Sequence, residues 1–139
     1  MTSILRPLWC AVLALAAAAT MQADFRFEDG DRIGYIGSGL ADRMQHDGWL
    51  ETLIQSRLGD QQLVFRNLGF TGDEIDNQPR NKGFTPMESY LALTEADALL
   101  VFYGYNESFG GSAKLESFKH RYTTLIDHYS VSYTTLTLP

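Results

Sequence analysis

Three apolar segments that each run into a glycine turn constrain this chain more than any other feature. They are RIGYIG at 32–37, QLVFRNLG at 62–69 and DALLVFYG at 97–104. Short apolar runs bounded by turn residues suit buried strands of a parallel sheet. Helical patterns lie between and after them. In DGWLETLIQSRLGD (47–60), Trp49, Leu50, Leu53, Ile54 and Leu58 share one face, so Trp49 is expected in the core. Asp47 is placed to cap that helix and Gly59 to stop it. PMESYLALTEAD (86–97) opens on Pro86, which suits a first helical position. AKLESFKHRYTTLIDHY (113–129) places Leu115, Phe118, Tyr122, Leu125, Ile126 and Tyr129 at helical spacing. The order β-α-β-loop-α-β-α predicts an α/β fold, with a mostly parallel sheet covered by helices on both faces. Ligands of such sheets bind beyond the carboxyl ends of the strands at the topological switch point, and all three glycine turns lie at those ends.

The segments outside this pattern set the domain limits. Residues 1–23 carry one basic residue, Arg6, an apolar run over 8–19 and then small residues. This reads as a secretory signal peptide cleaved near Ala19 or Ala23. It predicts a secreted or periplasmic product with no stable membrane insertion after cleavage. The run, about 12 residues, is short for a hydrocarbon core of ~30 Å. The single cysteine, Cys10, lies inside it after Trp9, a poor context for lipidation. The remaining chain therefore excludes disulfides, thiolate metal sites and cysteine catalysis. A net charge of −6 with no basic stripe argues against a nucleic-acid partner.

Residues 24–129 form the expected domain. The polar link 71–85 contains Asp73, Glu74 and Asp76, but their spacing matches no EF-hand loop. The link is read as a solvated loop, with no metal. The uncharged SVSYTTLTLP (130–139) breaks the helical pattern and reads as a non-native or disordered tail. The native protein is then expected to continue past Tyr129, and the sheet to be truncated after its third strand. A genuine final strand is the alternative.

The turns decide between chemistries. Gly37-Ser38-Gly39 opens a G-x-G-x-x-G pattern, but Asp42 stands at its sixth position and would repel a pyrophosphate. Arg66-Asn67 stand where the second strand of a dinucleotide fold would end in a ribose-binding acid. Taken together, GSGL (37–40), NLGFTGDE (67–74) and GYNES (104–108) resemble the blocks of the SGNH (GDSL-type) hydrolases, a lipase and esterase superfamily. The resemblance covers Asp31 to about Tyr129 and implies a three-layer α/β/α, flavodoxin-like fold. It also implies ester hydrolysis by a serine nucleophile, with an oxyanion hole and no cofactor. The second block places Asn67 in the site and makes Gly72 a backbone N–H donor to the oxyanion. The third places Gly104 and makes Asn106 a side-chain donor, with Glu107 replacing the family's aspartate. Tyr105 is a candidate for lining an acyl or sugar pocket.

Two departures from the family pattern bear on mechanism. Aligned without gaps, Ser38 takes the aspartate position of Gly-Asp-Ser-Leu and Gly39 takes the nucleophile position. Either Ser38 attacks from one residue earlier, or nucleophilic catalysis is lost. The family's late Asp-x-x-His is absent, leaving His46, His120 and His128 as histidines, of which His46 is the best-placed candidate base. The expected ligand is an acyl or acetyl ester of a carbohydrate or small molecule. The alternative is a non-catalytic carbonyl- or glycan-binding domain on the same fold.

Overall fold

A computed structural model describes residues 26–137, so the segment read as a signal peptide lies outside the described residues. The elements run β1 (Arg32–Gly37), α1 (Gly39–Met44), α2 (Trp49–Arg57), β2 (Val64–Asn67), α3 (Met87–Thr94), β3 (Ala98–Phe102), α4 (Tyr105–Ser108), α5 (Leu115–Ser130) and β4 (Thr134–Thr137). Short 3₁₀ turns at Pro79–Asn81 and Ser112–Lys114 precede α3 and α5. The sheet order is β2-β1-β3-β4, with every neighbouring pair parallel.

The alternation of side chains along the strands builds the three layers. Ile33, Tyr35, Leu100 and Phe102 point to one face, where Ala41 and Met44 of α1 and Leu50 and Ile54 of α2 cover them. Ile36, Leu99 and Val101 point to the other, where Met87 and Leu91 of α3 and Tyr129 of α5 pack, with Tyr122, Leu125 and Ile126 behind. All five residues of β3 are buried, as a central parallel strand requires. The sheet winds from β1 outward to β2, then reverses across β1 to β3. The switch point therefore lies between the carboxyl ends of β1 and β3.

Two expectations change. The segment read as a tail contains the end of α5 and a fourth strand, because Thr134–Thr137 pair in parallel register with Ala98–Val101 of β3. Backbone pairing to an otherwise open edge needs no strong side-chain pattern, so this strand left little trace in the sequence. Trp49 is 73% exposed rather than packed. Gly48, not Asp47, caps α2, and the apolar residues that this helix packs against the sheet are the i, i+4 pair Leu50 and Ile54.

The backbones of β1 and β3 close together at the end of β1. Gly37 has φ of +140°, and a Cβ built there would stand 2.5 Å from the backbone carbon of Phe102. Gly72 has φ of +97°, but open space surrounds its Cβ position. Gly37→Ala is expected to cost more than about 3 kcal/mol, because overpacking against backbone adds to left-handed strain. Gly72→Ala should cost only the strain, about 1–2 kcal/mol. Urea unfolding of both variants, read at constant m-value, measures the contrast.

Candidate active site

The three glycine turns meet over the switch point. The Ser38 N–H donates to the Phe102 carbonyl at 3.3 Å, and the Phe70 N–H donates to the Gly37 carbonyl at 3.0 Å. The first turn is thereby tied to β3 on one side and to the second turn on the other. A cavity of about 750 Å³ opens there, lined by Gly39, Leu40 and Arg43 of α1, Thr71 of the second turn, and Tyr103, Tyr105 and Tyr122. Its floor is the end of β3, at Val101 and Phe102.

Ser38 and Gly39 sit on opposite sides of this wall. Ser38 is fully buried, and its Oγ has no hydrogen-bond partner among the described residues. Gly39 lines the cavity, and a Cβ built on it would stand 3.9 Å from Thr71 Oγ1. A side chain at position 39 would therefore face the cavity, whereas the Ser38 hydroxyl is packed beneath it. Successive residues at a strand-to-helix turn aim in different directions, which is why a register of one residue matters here.

Neither of the two expected oxyanion donors, Gly72 and Asn106, lines the cavity. Asn106 Nδ2 reaches the Asp73 carbonyl at 3.5 Å, which sets its amide beside the Gly72–Asp73 backbone. The Gly72 N–H donates to no group among the described residues. Their chain neighbours Thr71 and Tyr105 form the adjacent cavity wall. Asn67 is occupied with the scaffold: its Nδ2 donates to the Ala41 carbonyl at 2.5 Å, and its Oδ1 accepts from the Gly69 N–H at 2.9 Å. It pins α1 to the second turn and does not line the cavity. Tyr105 does line it, 65% exposed, with its ring edge-on to Phe109 at 5.4 Å.

None of the three histidines lines the cavity. His46 is exposed past the end of α1, while His120 and His128 lie on α5, along a separate groove with Asp76 and Arg121. His128 Nε2 stands 3.7 Å from Glu88 Oε1 in solvent. Of the acidic residues considered for a cation, Asp73 pairs with Arg80 and Asp76 with Arg121. Among the described residues no cluster of His, Cys, Asp or Glu suits a metal ion.

Several roles in the site were not legible beforehand. Glu107 is the strap between two turns: its Oε2 accepts from the Gly104 N–H and its Oε1 from the Ile75 N–H, each at 3.0 Å. The i, i+3 spacing from Gly104 was the available signal, since that is the spacing of a capping box. Arg80 donates to the Leu68 carbonyl, lies 5.5 Å from the Phe70 ring centroid and stands 3.5 Å from Asp73. Arg43 is one helical turn from Gly39, which puts both on the cavity side of α1. Burial raises the pKa of Tyr103 and Tyr122, so both phenols are neutral donors around neutral pH. The Tyr103 hydroxyl accepts from Gln78 Nε2 at 2.9 Å, and the Tyr122 hydroxyl donates to the Val101 carbonyl at 3.4 Å.

No family model and no curated protein matches the sequence. Solved structures do match. The fold is shared with esterases. The psychrotrophic esterase EstA from Pseudoalteromonas sp., in a structure inhibited by monoethylphosphonate, superposes with a TM-score of 0.58 at 18% identity, over 77% of this chain and 58% of that one. The acetyl xylan esterase AlAXEase gives 0.54 at 17% identity, over 76% and 56%. The gut microbial diltiazem-metabolizing enzyme BT4096 gives 0.55 at 17% identity, over 81% and 27%. The chain thus spans less than two thirds of each of these structures. It shares with them an α/β sheet with helices on both faces, as the spacing of its apolar runs predicts.

Two outcomes follow for the residues behind the cavity. Glu107→Ala strips a charged acceptor from two backbone N–H groups and should lower stability by about 2–3 kcal/mol, with Glu107→Gln losing less. Thermal unfolding of the three proteins checks the order. Asp73 is fully buried, and that burial raises its carboxyl above 3.8, opposed in part by Arg80. The folded state then binds the proton more tightly than the unfolded state. Stability from this group is lost as pH rises from 3.8 through the raised value. Asp73→Asn should lack that slope, which urea unfolding at a series of pH values reads directly.

Proposed function

We propose that this chain is an SGNH-type hydrolase domain that acts on an acyl or acetyl ester of a carbohydrate or small molecule. The observation that carries the proposal is the convergence of all three glycine turns on one cavity at the switch point. The esterase activities in the names of EstA and AlAXEase support the same substrate class. The apolar run at 8–19 supports export to the periplasm or beyond the cell.

In this proposal a serine hydroxyl attacks the ester carbonyl. The Gly72 N–H and the Asn106 amide hold the negative charge that develops on its oxygen. Losing one such donor typically costs about 3–4 kcal/mol of transition-state stabilisation. The alcohol leaves with a proton, and water then releases the acid and restores the serine. Ser38 is the serine nearest the cavity in sequence, and it would have to turn out of its buried position to attack. The chemistry as proposed requires no cofactor.

A second reading has its own observation. Ser38 is buried and the cavity-facing position 39 is glycine, which favours a domain that binds the ester carbonyl without cleaving it. Labelling with a fluorophosphonate at pH values between about 6 and 9 separates the two. Labelling abolished by Ser38→Ala is the result expected of the hydrolase. An unlabelled wild type that acquires labelling in Gly39→Ser supports the binding domain. If neither protein is labelled and no ester binds, both readings are wrong.

A further inference from the structure

Among the described residues, Arg43 is the one charged residue in the cavity wall. It lines the opening from the last turn of α1 and is exposed. Its guanidinium makes no ion pair and no side-chain hydrogen bond among the described residues. Arg32 is engaged with Glu95, Arg80 with Asp73, Arg121 with Asp76 and Arg66 with a backbone carbonyl, while Arg57, exposed on α2 and likewise without such a contact among the described residues, lies outside the cavity wall. In a chain with 17 acidic and 11 basic residues, a cation left without a partner is not a shortage of carboxylates.

The neighbouring acids are turned elsewhere. The Asp42 carboxylate accepts from Thr71 Oγ1 at 2.5 Å and from Gln45 Nε2 at 2.6 Å. Asp73 faces Arg80, and Glu107 is held by two backbone N–H groups. Two tyrosines of the wall, Tyr103 and Tyr122, are not charged competitors: burial raises both, and the hydroxyl of each has a hydrogen-bond partner. The cavity is thus an aromatic, apolar space with a single free positive charge at its rim. A guanidinium presents a planar fork of donors that fits a carboxylate in two parallel hydrogen bonds.

We infer that Arg43 selects an anionic ester, one that carries a carboxylate beside the ester group bound in the cavity. The inference rests on the reading of the cavity as an ester site. The carboxylate has two possible sources, the acid part of the ester or its alcohol part. Both present the same charge to Arg43.

The test measures binding to the whole chain by ligand-observed NMR, with two matched pairs of probes. Monoethyl succinate against diethyl succinate places the charge on the acid side. Acetoxyacetate against its ethyl ester places it on the alcohol side. For at least one pair, the anionic member should bind about fivefold tighter than the neutral one at low salt, as a partly exposed charge pair allows. That preference should shrink in about 0.5 M salt, where screening acts within about 4 Å. It should vanish in Arg43→Gln and persist in part in Arg43→Lys. Arg43→Gln should unfold at the wild-type temperature, because the side chain has no partner to lose. Equal binding within both pairs, or a preference that survives Arg43→Gln, overturns the inference and leaves the ester site standing. Failure of all four probes to bind overturns the ester site and the inference together.

Discussion

The contact between Gly37 and the backbone of Phe102 is the point from which the site is built. No side chain fits between the ends of β1 and β3, so the strands close together and the chain turns outward at once. The Ser38 N–H then reaches the Phe102 carbonyl, and the Gly37 carbonyl accepts from Phe70. Two strands and the turn after a third are joined within three residues of β1's end. Because β1 and β3 are neighbours while β2 lies on the far side of β1, this junction is also where the sheet reverses direction. Helix α1 leaves from it at Gly39, and the cavity forms in the space that the diverging chains cannot fill.

A second set of contacts holds the remaining turns against the first. Glu107 grips Gly104 in its own turn and Ile75 in the long loop. Asn106 reaches the Asp73 carbonyl, and Asn67 clasps α1 and Gly69. Arg80 adds a cation among Leu68, Phe70 and Asp73. These contacts are mostly between a side chain and a backbone group of a distant segment. They order the 71–85 link, which by composition alone reads as a solvated loop. They also bring the Asn106 amide to the Asp73 carbonyl, one residue past Gly72.

The strands and helices of the sequence reading recur in the structure because each rests on local periodicity. The run 97–104 became the fully buried β3, and the helical pattern through Tyr129 became α5. Trp49 shows where periodicity stops: this nine-residue helix half-buries Leu50 and Ile54 against the sheet, and its first residue stays in solvent. Thr134–Thr137 show the converse, since they pair with the open edge of β3 without a strong apolar pattern in their sequence. Tyr105 was legible as a residue beside the third turn, whereas Arg43, Thr71, Tyr103 and Tyr122 reach the cavity from four separate segments.

By itself the sequence determined the alternation of strands and helices, the parallel sheet and the three glycine turns, since apolar period and turn chemistry are properties of short stretches. Only the tertiary structure decided the strand order, and with it which turns face one another. It also decided that Ser38 lies beneath the wall while position 39 faces the cavity. Strand order follows from packing both faces of the sheet at once. The aim of a side chain at a turn follows from the close approach of another strand's backbone, here Phe102 against Gly37, about 65 residues further along the chain.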